Sequence, residues 1–312
     1  MENTLNNFKS WVFNAAKNKN ISISQLTWPK RFNLSINDYL VQTRFNEKDY
    51  FGHGSDIDPD IAILKATAEA YERFCVTSLN LKNSNGCAVH TDQLKAEENA
   101  YCELVERDAF LVKFINGEKF NQIDERAFQP SLYESCNLSN YCIAHEGLIV
   151  TLTRITINNS ANIFGLGTGK SFVESLAKSE MEALRQWVFA MDKALVSKAN
   201  YEEISKKQNL SFDDHGDIAL TPEHYNEIKW LFGEASSSRY KKFLYFKSEK
   251  TSFIKHDVIT SSDNPFHGIP LFFVKASNPE AQELFTGRTV DNLNPLRIPN
   301  NGKLNLCLHP FR

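Results

Sequence analysis

The sequence predicts an α+β fold of three related strand–glycine turn–helix units, and three observations lead there. First, residues 51–73 (FGHGSDIDPDIAILKATAEAYER) are echoed by residues 164–186 (FGLGTGKSFVESLAKSEMEALRQ). Aligned on Gly54 and Gly167, both copies carry Phe-Gly-x-Gly, and Lys65 falls on Lys178, Glu69 on Glu182 and Ala70 on Ala183. Second, a middle copy runs from Asn85-Gly86 to Glu103 at a slightly longer spacing. Third, segments dense in β-branched residues alternate with stretches of helical periodicity.

The strands are expected at Tyr39 to Arg44, Gly86 to His90, and Leu148 to Ile157 with Ala161 to Phe164 behind it; the run TLTRITI carries the strongest strand signal. The helices are expected over 59–79, 92–113 and 171–194, with Pro59 and Asp92 as start signals. From about 195 to 265 the chain turns polar and irregular and reads as a peripheral insertion, with a short helix from Pro222 to Trp230 and a strand around Phe243 to Phe246. Ile269 to Ala276 reads as a buried strand, and the aromatic-rich remainder is too apolar for a disordered tail. A helical solenoid is excluded, because glycine and strand signals fall where second helices would be needed. The whole reads as one domain over 1–312, with 1–36 as an N-terminal segment.

At 312 residues the chain can bury a large core, and 23 Phe give it a heavy aromatic load. A net charge of −3 supplies no electrostatic reason to expect nucleic acid or an anionic membrane surface. The six cysteines show no Cys-x-x-Cys pair and MENTLNNFKSWVF is too polar for a signal peptide, so reduced thiols in the cytoplasm are expected. No apolar run reaches membrane-spanning length.

The chemistry lies in the carboxylates. Glu69-Ala-Tyr-Glu72-Arg73 and Glu103-Leu-Val-Glu106-Arg107 each put two acidic side chains one turn apart on a helix face. Glu182 occupies the equivalent place in the third copy. If the copies pack around one site, these five carboxylates form a cage that repels itself unless cations sit inside it. Hard oxygen donors in that number suit Mg²⁺, which keeps substrate phosphates in its shell. Arg73 and Arg107 would brace carboxylates or touch phosphate, and Asn85 would add a neutral donor. A single Glu-x-x-Glu-Arg set is ordinary surface charge; two, with a third related helix and the small residues Ala66, Ala68, Ala70 and Ala100, argue for close packing around a site. Neither FGHGSD nor FGLGTGK has Walker spacing, the histidines never pair at metal-ligand spacing, and no nucleophile–base pair stands out.

These residues resemble the YcaO-domain family, ATP-dependent enzymes that modify peptide backbone amides. The resemblance is carried by Lys65-Ala-Thr-Ala-Glu69-Ala-Tyr-Glu72-Arg73, by Ser84-Asn85-Gly86-Cys-Ala88 leading to Glu103-Leu-Val-Glu106-Arg107-Asp108-Ala109, and by Glu182-Ala183. Ser277-Asn-Pro279-Glu-Ala-Gln282 and Asn294-Pro-Leu-Arg297 extend it, so that it covers about residues 45 to 312. It implies a YcaO-like fold that binds ATP without a Walker loop, with Mg²⁺ on Glu69, Glu72, Glu103, Glu106 and Glu182. Arg73, Arg107, Asn85, Arg185, Gln282 and Arg297 would hold the nucleotide. In azoline-forming members a Cys, Ser or Thr side chain attacks the preceding carbonyl, and the amide oxygen leaves as phosphate. Two departures stand out: Arg185 replaces the family's usual Gln, and the ending His309-Pro310-Phe311-Arg312 carries a single proline. Implied partners are a ribosomal precursor peptide and a separate leader-peptide-binding protein, and a homodimer is compatible. Two alternatives remain open: a thioamide-forming enzyme using external sulfide, and a degenerate scaffold subunit of a modifying complex.

Overall fold

The structure is a computed structural model that describes residues 2–31, 35–127, 136–145, 148–157, 161–169, 171–192, 199–235, 252–256, 264–285, 287, 291–297, 304–305 and 307–311. In chain order its elements are α1 (Glu2–Lys17), β1 (Ser22–Gln25), α2 (Trp28–Arg31), β2 (Asn37–Phe45), β3 (Lys48–Asp56), α3 (Pro59–Ser78), β4 (Cys87–His90) and α4 (Gln93–Asn116). There follow β5 (Phe120–Ile123), β6 (Asn137–His145), β7 (Leu148–Ile157), β8 (Ala161–Gly169), α5 (Phe172–Asp192), α6 (Tyr201–Ser205), α7 (Phe212–Ala219) and α8 (Pro222–Ile228). The last strands are β9 (Phe232–Ala235), β10 (Ser252–His256) and β11 (Phe272–Ser277). Helices and strands are mixed throughout, the α+β fold expected. The chain divides into two compact units, Met1–Leu104 with Thr251–Ser277, and Val105–Lys250 with Asn278–Arg312.

The first unit carries two antiparallel sheets, β1-β2-β3 and β10-β11-β4. Asn46 and Glu47 both adopt positive φ in the two-residue turn joining β2 to β3, the geometry that matches the twist of a tight hairpin. Asp58 caps α3 by accepting from Asp60 N at 2.8 Å, with Pro59 opening the helix. The core joins α1, through Phe8, Val12 and Ala15, to Leu64, Ala66, Ala70, Phe74, Phe266 and Phe273.

The second unit holds a five-stranded sheet in the order β8-β7-β6-β5-β9, with β5 and β9 parallel. Its core gathers Phe110, Phe114, Phe120, Tyr141, Leu152, Phe164 and Phe311.

The helices expected at 59–79, 92–113 and 171–194 are α3, α4 and α5, and Leu148 to Ile157 is β7. The helix expected at Pro222 to Trp230 is α8 followed by a 3-10 turn over Lys229–Leu231. The strand expected around Phe243 to Phe246 lies outside the described residues. Two expectations are corrected. The buried strand begins at Phe272, not Ile269, because Pro270 has no N–H for a ladder and Leu271 N turns back to Ile269 O. The glycines of the first and third copies are not turns either. Gly52 and Gly54 lie within β3, and Gly165 and Gly167 within β8. They are there for contact with a helix. A Cβ on Gly52 would stand 2.0 Å from Ala66 O, and one on Gly165 would stand 2.3 Å from Ser179 O. In the middle copy Gly86, with φ +67, does serve a turn.

Candidate phosphate and metal site

The first unit places Glu69 and Glu103 within electrostatic reach of Glu72. Glu69 and Glu72 come from α3, and Glu103 from the part of α4 belonging to this unit. Glu69 is held on both sides: Oε2 accepts the His53 N–H of the edge strand β3 at 2.9 Å, and Oε1 accepts from the Arg73 guanidinium at 2.5 Å. Burial, then the charges of Glu103 and Glu69, push the Glu72 carboxyl well above its ordinary range, against the milder pull of Arg73. Arg73 thus serves both carboxylates of α3.

Asn85 is buried in the turn before β4. That turn is stitched to β11: Lys275 Nζ donates to Asn85 O, and Ala276 N donates to Gly86 O at 2.7 Å.

The second unit holds the remaining acids. Glu106 is buried on α4, with Arg107 Nη1 at 3.5 Å. Burial raises its pKa, Arg107 opposes the rise, Glu182 adds to it and Lys178 relieves it. Glu182 on α5 accepts the Leu166 N–H of edge strand β8 at 2.7 Å, the counterpart of the bond between Glu69 and His53. Glu182 and Gln186 line an open pocket with Phe164, Phe189, Pro310 and Phe311. Arg185 sits half-buried on α5. The Gln282 side chain is engaged by its own surroundings, donating to Glu283 O and Asn292 O and accepting from Asn294 N. Arg297 lies in the 3-10 turn Pro295–Arg297.

Each unit therefore brings its own predicted acids together: Glu69, Glu72 and Glu103 in the first, Glu106 and Glu182 in the second. Among the described residues no three His, Cys, Asp or Glu side chains stand at separations that would hold a metal ion. The donor set itself suits Mg²⁺, being carboxylate oxygen throughout and carrying more negative charge than its arginines offset.

Sequence reasoning missed three contributors. Lys178 lies beside Glu106, and the echo with Lys65 had marked its position. Asp108 accepts from Gln282 N at 2.7 Å and meets His145 Nε2 at 2.7 Å, a long-range tie with no local signal. The Phe189 wall of the pocket was read only as part of a helix. No disulfide joins the cysteines, and burial pushes the Cys75 thiol up. Among the described residues no helix is long and apolar enough to cross a membrane.

Residues 72–160 match the family model described as "YcaO cyclodehydratase, ATP-ad Mg2+-binding". The fold is similar to the structure of YcaO from Methanopyrus kandleri bound with AMPPCP and Mg2+, at 11% identity and a TM-score of 0.64, covering 89% of this chain and 91% of that one. It is also similar to a heterocyclase in complex with substrate and cofactor, at 13% identity and a TM-score of 0.57, covering 84% of this chain and 50% of that one. No curated protein matches the sequence.

Proposed function

We propose that this chain, whose residues 72–160 match the YcaO model and whose fold is similar to that of a YcaO structure, is a YcaO-domain protein that binds ATP and Mg²⁺ to activate a backbone amide of a ribosomally made peptide. The most specific form of the reading is cyclodehydration of Cys, Ser or Thr to thiazoline or oxazoline. One observation carries it: Glu69 and Glu103 crowd buried Glu72 in the first unit, so that its carboxyl is driven toward protonation despite Arg73. Such crowding costs stability and is relieved by a cation.

In this reading the metal ligands are Glu69, Glu72 and Glu103 of the first unit and Glu106 and Glu182 of the second. Bound Mg·ATP supplies the phosphoryl group that turns an amide oxygen into a leaving group when a side chain adds to the carbonyl. Amide oxygen is a poor leaving group, so the chain's work is to position and to neutralise charge. Arg73 and Arg107 stand beside the acids and meet phosphate oxygens, Asn85 offers a neutral donor from a turn braced by Lys275, and Arg185 adds positive charge on α5. Gln282, with its carboxamide committed, anchors the segment that carries Arg297. The substrate is a precursor peptide, presented in the cytoplasm by a leader-peptide-binding partner.

Calorimetry with ATP in the presence and absence of Mg²⁺ tests the binding step. Glu103→Gln is expected to weaken Mg·ATP binding at least about tenfold, the loss of one charged ligand, with stability unchanged or slightly raised. A sharp fall in stability with intact binding would make Glu103 structural. For the chemical step, a Cys/Ser/Thr-rich precursor is incubated with this chain, the leader-binding partner and Mg·ATP. Loss of one water per modified residue supports cyclodehydration, exchange of oxygen for sulfur would replace it with thioamide formation, and ATP binding without Mg²⁺ would favour a scaffold.

A further inference from the structure

The second unit buries three histidines that the reading above does not use. His215 on α7, His224 on α8 and His309 in the segment 307–311 each have 0% exposure. Every one of them bonds a backbone carbonyl through a ring nitrogen: His215 Nδ1 to His309 O at 2.8 Å, His224 Nε2 to Leu308 O at 2.7 Å, and His309 Nε2 to Phe285 O at 2.7 Å. The His215 and His309 rings stack at 4.0 Å between centroids, 12° from parallel. A carbonyl only accepts, so each of these nitrogens carries a proton. In His309 the other nitrogen is fixed too, because Nδ1 accepts the Phe311 N–H at 3.4 Å. A second proton on His309 would set N–H against N–H. A second proton on both stacked rings would set two buried cations face to face.

The segment held in this way is built into the unit. Phe311 meets Phe110 edge-on at 4.5 Å, and Pro310 and Phe311 form a wall of the pocket that contains Glu182.

We propose that His215, His224 and His309 are positioning residues, a clamp that holds Leu308–Phe311 as the wall of the Glu182 pocket only while all three rings are uncharged. The charged groups around them are few. Asp214 neighbours His215 but is committed to Lys207 at 2.6 Å, Glu227 neighbours His224 but bonds the Tyr201 hydroxyl, and Arg107 opposes any charge on His309. Burial lowers all three histidines, and their mutual repulsion lowers His309 and His224 further. For groups held neutral in the fold, the clamp's contribution is complete above the unfolded value of about 6.5 and is lost as pH falls below it. The consequence for chemistry rests on the reading of Glu182 given above; the clamp does not.

The test is amide hydrogen exchange on the full chain without nucleotide, from about pH 8 to about pH 5, corrected for intrinsic rates. A peptide covering 304–311 is expected to lose protection by at least about tenfold below about pH 6.5, while a peptide from 59–78 keeps its own. His215→Asn and His309→Gln each place an amide donor near the lost ring N–H and cannot be protonated, and each is expected to shrink the step. If neither variant folds, the wild-type titration decides alone. Constant protection of 304–311 across the range, loss in parallel with 59–78, or an unchanged step in the folded variants would each overturn the clamp. Mg·ATP binding at about pH 8, measured separately, judges the reading of Glu182 and leaves the clamp standing whichever way it falls.

Discussion

The hairpin β2-β3 with α3 and the hairpin β7-β8 with α5 solve one packing problem twice, with different chemistry inside. In both, a Gly-x-Gly strand lets helix backbone lie directly on it: Gly54 meets Ala62 O and Ala66 N, and Gly167 meets Ser175 O and Ser179 N. In both, a helix glutamate accepts an edge-strand N–H, and a helix lysine donates to the carbonyl after the second glycine. Between strand and helix they part. The first copy is dry, with Ala62, Ala66 and Ala70 facing β3 and Tyr39 and Val41 opposite the glycines. The second is threaded by hydroxyls, with Thr151 and Thr153 of β7 each 2.9 Å from Ser179, and Thr153 continuing to Asn140 and buried Glu180. A common backbone geometry therefore tolerates either content, provided that polar groups come as a completed set.

The glycines are where the comparison breaks hardest. Gly52→Ala would drive a Cβ to 2.0 Å from Ala66 O and 2.3 Å from Ala70 N, and Gly165→Ala to 2.3 and 2.4 Å from the matching atoms. Backbone cannot swing aside as a side-chain tip can, so each is expected to cost about 3 kcal/mol or more, read as a shifted urea midpoint. Equal losses would establish the two interfaces as equivalent; tolerance in one copy would show that its helix can lift from the strand.

The interior contents come next. Ser179→Ala takes one buried partner from each of Thr151 and Thr153, which keep Ser175 and Asn140, and is expected to cost about 1–3 kcal/mol. Ala66→Ser, its mirror in the dry copy, adds a hydroxyl whose only local acceptor is a helix carbonyl, and should cost less than about 2 kcal/mol. Urea titration of both reads the difference. If Ser179→Ala proves neutral, the hydroxyl chain is not the closed set described above.

How far the sequence foretold this varies by element. α3 was legible because Asp58 and Pro59 mark its start and its apolar period is unbroken, and β7 because β-branched residues fill it. The glycine runs of β3 and of the end of β8 read as turns, although Ala161 to Phe164 reads as strand, since a glycine run looks alike whether the backbone needs freedom or the neighbour needs room. α1 was left within an unassigned segment, although Phe8, Val12 and Ala15 recur at helical spacing. In the site, the spacing of Glu69 and Glu72 was local information and was seen. The tie of Asp108 to His145 and Gln282, the nearness of Lys178 to Glu106 and the histidine clamp join residues far apart in the chain, where no periodicity can speak.

The acids differ between copies as well: Glu72 of the first corresponds to Arg185 of the second. Glu72 is driven up by burial, Glu103 and Glu69, so its folded pKa exceeds its unfolded one. A group of that kind favours the fold below its unfolded value and loses that contribution as pH rises through the folded one. Glu72→Gln is therefore expected to raise stability by on the order of 1 kcal/mol at about pH 8, with the gain vanishing near about pH 4.5, as thermal melts across pH would record. The same substitution at Glu69 should lack this gain, because that carboxylate already has His53 N–H and Arg73.

The smallest effects belong to the lysines, and they separate the copies by environment. Lys65 bonds Asp56 at 2.6 Å with 55% of its side chain exposed, and Lys178 bonds Glu174 at 2.9 Å with 45% exposed. Exposed pairs of this kind contribute below about 1 kcal/mol, so Lys65→Met and Lys178→Met should hardly move the urea midpoint. Lys178 has a second duty, since its charge relieves buried Glu106. Removing it should lift the Glu106 pKa further, so that Lys178→Met loses stability progressively as pH rises from about 5 to about 8 while Lys65→Met stays flat. Parallel pH profiles for the two variants would mean that Glu106 is served by Arg107 and Thr168 without Lys178, and the correspondence between the copies would then extend to their lysines in full.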